Sequence, residues 1–215
     1  MKQPGGLPMT CLALEFSTDR RSVSVTRGNE VLAEVIHQGT QRTPILTLID
    51  SALRQSGLGR RQVDRLVVGL GPGSYTGIRL AISTAQGWQL ALGTPTVGVS
   101  SLEAMAVALS SESGPILLAV DAQRSEFAVA LAERGRLLEP VRLVSLQSLR
   151  EQVEAGQRLA GPEVVRLIPE ALEIYPHASI LARLSESVSP IPAETLVPIY
   201  LREANFVKAP PSRVV

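Results

Sequence analysis

The sequence predicts an α/β protein of two related lobes, each a mixed β-sheet flanked by helices. Three observations predict it. Apolar runs of strand length alternate with segments whose apolar residues recur at helical spacing. A strand–hairpin–strand opening gives way to strand–helix–strand–helix order, which requires a mixed sheet with helices laid over it. The opening pattern then returns further along: Glu15 matches Asp121, Val23 matches Val129, Val25 matches Leu131, and Val31-Leu32 matches Leu137-Leu138.

Each element has a local reason. Residues 1–9 read as a loose tail. Residues 11–16 are a short apolar strand, and 22–26 alternate Val23 and Val25 with serines, as a half-buried strand does. Arg27-Gly28-Asn29-Glu30 supplies the hairpin turn before a third strand at 31–36. Between 44 and 56, Ile45, Leu48, Ile49, Ala52 and Leu53 fall on one helical face, and Gly57 sits where the helix stops. A buried strand at 66–70 runs into a tight glycine-rich loop at 71–77 and a helix over 76–92. Residues 96–99 form another strand and 101–110 another helix, with Ser101 as N-cap. The second lobe opens with a strand at 116–121 and a hairpin at 133–136. It continues with a helix over 146–155, a strand over 158–160 and a helix over 179–187. Pro190, Pro192 and Pro198 mark irregular chain. The expected organisation is a tail (1–9), a first lobe (10–103), a smaller second lobe (104–202) and a second flexible tail (203–215).

Composition narrows the function classes. The 215 residues are 45% hydrophobic and 19% charged, enough apolar content for a real core and too little charge for a disordered chain. Cys11 is the single cysteine, so a disulfide scaffold is excluded and a reduced, cytoplasmic setting is expected. The longest uncharged stretch, 80–102, has the length of a membrane span, but Ser83, Thr84, Gln86, Gln89, Gly93 and Pro95 interrupt it. A formal charge of +1 does not suit an autonomous nucleic-acid binder.

Most candidate chemistry fails by counting. The glycine loop places Thr76 where a P-loop or a dinucleotide fingerprint needs glycine, and no lysine is near. Read structurally, it is a tight turn between a buried strand and a buried helix. Ser74 lacks the Gly-x-Ser-x-Gly frame of a hydrolase elbow. Glu15 and Asp50 could begin a nuclease-like carboxylate cluster, but Leu70, Gly71 and Pro72 stand where its next acid belongs. Asp121 could orient a sugar or a metal. Asp19 and Asp64 read as solvated turn charges, and Arg54, Arg60, Arg61 and Arg65 as a solvated basic face. His37 and His177 stand alone, without ligand spacing around them. The 76–92 helix is apolar on more than one face and rich in small residues, including Gly77, Ala81, Ser83, Thr84, Ala85 and Gly87. Its second face calls for a close helix neighbour, from a partner chain or from the second lobe.

Three blocks then carry a specific resemblance: Gly71-Pro72-Gly73-Ser74-Tyr75-Thr76-Gly77-Ile78-Arg79-Leu80, Thr84-Ala85-Gln86-Gly87, and Val97-Gly98-Val99-Ser100-Ser101-Leu102-Glu103-Ala104. With 12–18 at the first strand, Ala119-Val120-Asp121-Ala122-Gln123-Arg124, and Pro198-Ile199-Tyr200-Leu201-Arg202, they resemble the bacterial TsaB (YeaZ) family over residues 11–202. The resemblance implies a two-lobed actin, Hsp70 and sugar-kinase type of fold, a duplicated RNase H-like unit with the second lobe reduced. It also implies a non-catalytic subunit that pairs with a TsaD-type catalytic protein and, with a TsaE-type ATPase, serves threonylcarbamoylation of adenosine 37 in tRNAs reading codons that start with A. On that resemblance ATP and metal sit on the partner subunits and none in this chain. Transfer RNA is met only through the complex, no membrane is involved, and the isolated chain self-associates.

By the same resemblance the partner interface comprises Leu46, Ile49, Leu53, Leu80, Ala81, Ser83, Thr84 and Gly87, and Ala85→Arg should abolish association while leaving the chain folded. Gly71, Pro72, Gly73, Ser74, Tyr75, Thr76, Gly77 and Arg79 form the family's motif loop. Departures point the same way. Glu15 and Phe16 replace a small Asp-Thr pair, and Phe16 is expected to crowd a phosphate at the strand turn. Gln86 replaces a lysine, and the stretch between Thr40 and Ile45 lacks the metal-binding histidine pair of a TsaD-type catalyst. The alternative is a small-molecule kinase or ATPase of the same fold; a protease is a weaker one.

Overall fold

The computed structural model describes residues 8–39 and 44–201. Strands β1 (Thr10–Glu15), β2 (Arg20–Arg27) and β3 (Glu30–Gln38) form an antiparallel meander. After helix α1 (Ile45–Ser56), strand β4 (Arg65–Gly69) joins β1 in parallel; after α2 (Tyr75–Leu92), β5 (Thr96–Val99) joins β4 in parallel. The order across this first sheet is β3-β2-β1-β4-β5. Helix α3 (Ser101–Ala108) leads to the second sheet: β6 (Ile116–Asp121), β7 (Glu126–Glu133), β8 (Arg136–Leu137), β9 (Arg142–Ser145), then α4 (Leu146–Glu154), β10 (Leu159–Gly161) and β11 (Leu172–Glu173). Helix α5 (Ala178–Leu184) follows.

The second sheet, ordered β11-β10-β6-β7-β8 with β9 also on β7, repeats the plan of the first. In both, the opening strand pairs antiparallel with the next strand and parallel with a later one. The duplicated mixed-sheet architecture expected from the repeat is present. The second copy is reduced at a definite place: α2 connects β4 to β5, whereas β10 reaches β11 through a single 3-10 turn, Val164–Arg166.

Packing explains why the opening strand reads as an unbroken apolar run. Strand β1 is buried on both faces, with Leu12 and Leu14 in the core under α1 and α2 and Cys11 and Ala13 in a second core against α5. Helix α1 buries all five of its spaced apolar residues, and Gly57, at φ 70, turns its N–H back onto the carbonyls of Arg54 and Leu53. Each such side chain contributes roughly 1.5–3 kcal/mol when fully buried, so the buried stripe decides which way the helix faces.

Four details differ from the sequence reading. Ser100, not Ser101, caps α3, accepting from the Glu103 N–H at 3.4 Å. Ser101 is drawn inward instead, where its hydroxyl donates to Glu15. Met9, assigned to the tail, packs against the second core and accepts from the Gly28 N–H. The short strands β9 and β11 lack a pattern long enough to be read. Finally, the lobes interleave. A boundary at 103/104 falls inside α3, whose Leu102, Met105 and Ala106 pack with the second sheet, while α5 and residues Ala193 and Leu196 pack on the first. Most of the first tail, all of the second, Arg202 and positions 40–43 lie outside the described residues.

Candidate functional site

Two features stand out on this scaffold: an apolar groove along α1 and α2, and a charged cleft between the lobes. The groove encloses about 540 Å³ and is lined by Leu46 from α1 and Leu80, Ser83, Thr84 and Gly87 from α2, floored by Trp88. Five of the eight residues assigned to a partner face therefore meet on one surface. Leu46 is 56% exposed, Leu80 40%, and Leu90, one turn beyond Gly87, is 90% exposed. Trp88 and Ala91 also line the groove and are not among the interface residues named from the sequence, although their spacing from Ser83, Thr84 and Gly87 along α2 is the available signal.

The other three residues belong elsewhere. Ile49, Leu53 and Ala81 are fully buried in the core that α1 and α2 share with β1 and β4. Ala85 lies in the same core, so Ala85→Arg tests folding rather than association. The reason is that both faces of α2 carry small and apolar residues, and the face toward the sheet takes 78, 81, 82, 85 and 88.

The motif loop is a packing device. Ser74 caps α2, its side chain accepting from the Gly77 N–H at 3.3 Å, while its own N–H donates to the Ser17 carbonyl at 2.7 Å. A Cβ on Gly73 would collide with the Ser17 carbonyl oxygen, and one on Gly77 with that of Phe16. Glycine is thus needed because the loop lies flush on the β1–β2 turn. Tyr75, Thr76 and Arg79 face outward; Arg79 donates to the Tyr75 hydroxyl, and the Tyr75 and Tyr200 rings lie 6.1 Å apart at 44°.

Beneath the loop, Glu15 is fully buried. It accepts from the Ser17 N–H at 2.6 Å and from the Ser101 hydroxyl at 2.7 Å, and that hydroxyl in turn accepts from the Gly71 N–H at 3.1 Å. Burial pushes the Glu15 carboxyl up, and the hydrogen bonds from Ser17 and Ser101 only soften the rise. The Ser17 hydroxyl sits near this carboxyl but makes no aligned hydrogen bond. Glu15 is therefore a tie between β1, the loop and α3. It does not meet Asp50, which pairs with Arg60 at 2.6 Å on the exposed side of α1. Phe16 is corrected as well: its ring lies in the core under α1 and α2 and does not crowd the turn.

The interlobe cleft, about 320 Å³, is lined from the first lobe by Ser17, Asp19 and Arg21 and from the second by Asp121, Glu163 and Arg166. Asp19 reaches across to Arg166 at 3.2 Å, so it is a bridge between lobes rather than a solvated turn charge. Burial, then the neighbouring Asp19 and Asp121, push the Glu163 carboxyl up. Among the described residues no group of three or more His, Cys, Asp or Glu side chains is placed to hold a metal ion.

Remaining candidates have structural uses. Asp64 accepts from the Thr10 N–H at 2.8 Å, and Arg65 donates to the Ser185 carbonyl, holding the segment after α5. His177 lies 3.7 Å from Glu34, which also accepts from Ser179. Cys11 is buried, and burial pushes its thiol up. No helix among the described residues is long and apolar enough to cross a membrane.

Comparison with known proteins fits this geometry. The family model described as TsaD, tRNA N6-adenosine threonylcarbamoyltransferase, matches residues 36–172. A tRNA threonylcarbamoyladenosine biosynthesis protein TsaB of Haemophilus influenzae is 38% identical over 133 residues, which cover 60% of this chain and 56% of that protein. The matched stretch spans about half the length of such curated relatives, with 52% for the Escherichia coli TsaB. An uncharacterized protein of Mycobacterium tuberculosis is 31% identical over 212 residues, 91% of this chain and 93% of that one. The solved structure of YeaZ from Pseudomonas aeruginosa superposes with a TM-score of 0.73 at 25% identity, covering 90% of this chain and all of that one.

Proposed function

Since the chain belongs to the TsaB family, within the broader family that the TsaD model describes, we propose that it is a scaffolding and activating subunit in tRNA threonylcarbamoyladenosine biosynthesis. Its direct partner is a TsaD-type catalytic protein, joined by a TsaE-type ATPase. The modified position is adenosine 37 of tRNAs reading codons that begin with A. ATP and metal are bound by the partners, tRNA meets the chain only through the complex, and the setting is cytoplasmic.

The α1–α2 groove carries this reading. Its lining is mainly apolar with Arg60 among it, its residues are small at Ser83, Thr84 and Gly87, and Leu46 and Leu80 stand exposed on it. A face of this kind lets a second pair of helices approach closely and removes apolar surface from water as it does so. The occupant is a helix pair of the TsaD-type protein, a protein of the same broad family and so a source of similar helices. In its absence the same face pairs with a second copy of this chain. A non-catalytic role is supported by Glu15, which is consumed as an internal tie, and by the loop backbone, which is consumed by packing on the β1–β2 turn.

Co-expression with a TsaD-type protein tests the reading. The two chains are expected to elute as one complex, and Leu46→Glu with Leu80→Glu is expected to separate them while circular dichroism stays native. Separate elution of two folded wild-type chains refutes it. ATP hydrolysis by the isolated chain would favour a kinase or ATPase instead.

A further inference from the structure

Resting on the reading of the α1–α2 groove as the interface with a TsaD-type protein, we infer that Arg60 selects the partner: the face that fits the groove is acidic opposite Arg60, and a second copy of this chain is disfavoured there by like charge. The groove lining holds one charged residue, Arg60, which comes from the 3-10 turn Arg60–Gln62 rather than from either helix. Its guanidinium meets Asp50 at 2.6 Å on the exposed side of α1, and both side chains are half-exposed. An exposed pair of this kind is weakly held in water, so Arg60 can be shared with a newcomer.

Docking makes Arg60 demanding. A guanidinium has five N–H donors, and Asp50 is its one ion-pair partner among the described residues, which leaves donors open to solvent. Helices laid over the groove expel that solvent, and a charge sealed in apolar surroundings needs an acceptor against it. A carboxylate is the best match, since it takes two guanidinium N–H groups side by side and brings the opposite charge.

A second copy is poorly equipped to supply that acid. Helices α1 and α2 and the Arg60–Gln62 turn carry four arginines, Arg54, Arg60, Arg61 and Arg79, and one acid, Asp50. Acids on neighbouring elements are engaged or turned aside. Asp64 accepts from the Thr10 N–H, Glu30 stands in register with Arg27, and Glu34 accepts from Ser179. Glu194 lies on the turn that Gln86 and Gln89 hold, and neither glutamine lines the groove. Two copies pairing through this face therefore bring net positive charge against net positive charge, whereas an acidic face is drawn in. The two pairings answer salt with opposite signs, because screening weakens attraction between unlike faces and relieves repulsion between like ones.

Calorimetric titration of the full chain against a TsaD-type protein, and sedimentation of the chain alone, test this at low and high sodium chloride. From about 50 to 500 mM salt the complex is expected to weaken about tenfold while self-association strengthens. At low salt Arg60→Gln is expected to weaken the complex about tenfold with circular dichroism unchanged. Arg61→Glu is expected to weaken the complex and to tighten self-association about threefold. If one variant does not fold, the other decides. The inference is overturned, and the groove kept, if Leu46→Glu with Leu80→Glu separates the complex but salt and both folded arginine variants leave its affinity within about threefold. Self-association that loosens with salt as the complex does also overturns it. A complex that the leucine variant leaves intact overturns the groove itself, and this inference with it.

Discussion

Gly87→Arg separates the stability of the chain from its association, because the two should move in opposite directions. Gly87 is an exposed interior residue of α2, its φ is not positive, and a Cβ there meets nothing within 4 Å. Glycine within a helix costs roughly 0.5–1 kcal/mol relative to alanine, and arginine is a good helix former, so the isolated variant should gain about that much. For a chain of this size the gain corresponds to a melting temperature higher by about 1–4 °C. The same guanidinium projects into the apolar groove beside Leu80 and Ser83. Docking a helix pair over it would bury an unpaired charge, a penalty on the order of 3–5 kcal/mol, or about a hundredfold or more in affinity. Ala85→Arg, two residues away, is the control: Ala85 is packed in the core, and its arginine should unfold the chain. Thermal melts followed by circular dichroism, and titration against a TsaD-type protein, read both quantities. A Gly87→Arg chain that melts higher yet binds within about threefold of wild type would refute the groove as the interface. A chain that melts lower would mean the α2 face is already covered.

Three further outcomes follow from the core and the loop. Phe16→Ala should cost about 3–5 kcal/mol in urea unfolding, because the ring is fully buried under α1 and α2; a loss below 1 kcal/mol would return the ring to the turn. Gly77→Ala should destabilise by about 3 kcal/mol, since its Cβ meets the Phe16 carbonyl, which is backbone and cannot swing away; differential scanning calorimetry checks it. Burial holds the folded carboxyl of Glu15 above its ordinary value of 4.5, so the protonated form is the one the fold prefers. Its contribution is fully present below that value and is lost as pH rises through the raised folded value, so Glu15→Gln should flatten the decline seen in wild-type stability as pH climbs from the carboxylate range. Parallel pH profiles for the two chains would contradict this account of Glu15.

Much of the fold could be read locally. The α1 stripe, the Gly57 stop, the buried central strands and the duplication each arise from residues near one another in the chain, where spacing and backbone freedom act directly. The weakest readings concern short pieces such as β9 and β11, which are strands only because a neighbour pairs with them. Three of the eight residues assigned to the partner face lie in the core for a related reason. Ala81 and Ser83, or Ala85 and Gly87, are equally small, and no property of the residue says which side of α2 meets the sheet.

The sequence by itself determined the order of elements, the apolar stripes and the glycine loop, since helical and strand periodicity are properties of short stretches. Only the tertiary structure decided that Leu46 joins Leu80 and Gly87 on one surface while Ile49 and Ala81 are sealed inside. It also decided that Asp19, Arg21, Glu163 and Arg166 share one cleft. Those residues come from different lobes, and charges so far apart along a chain become neighbours only when folding brings the lobes together.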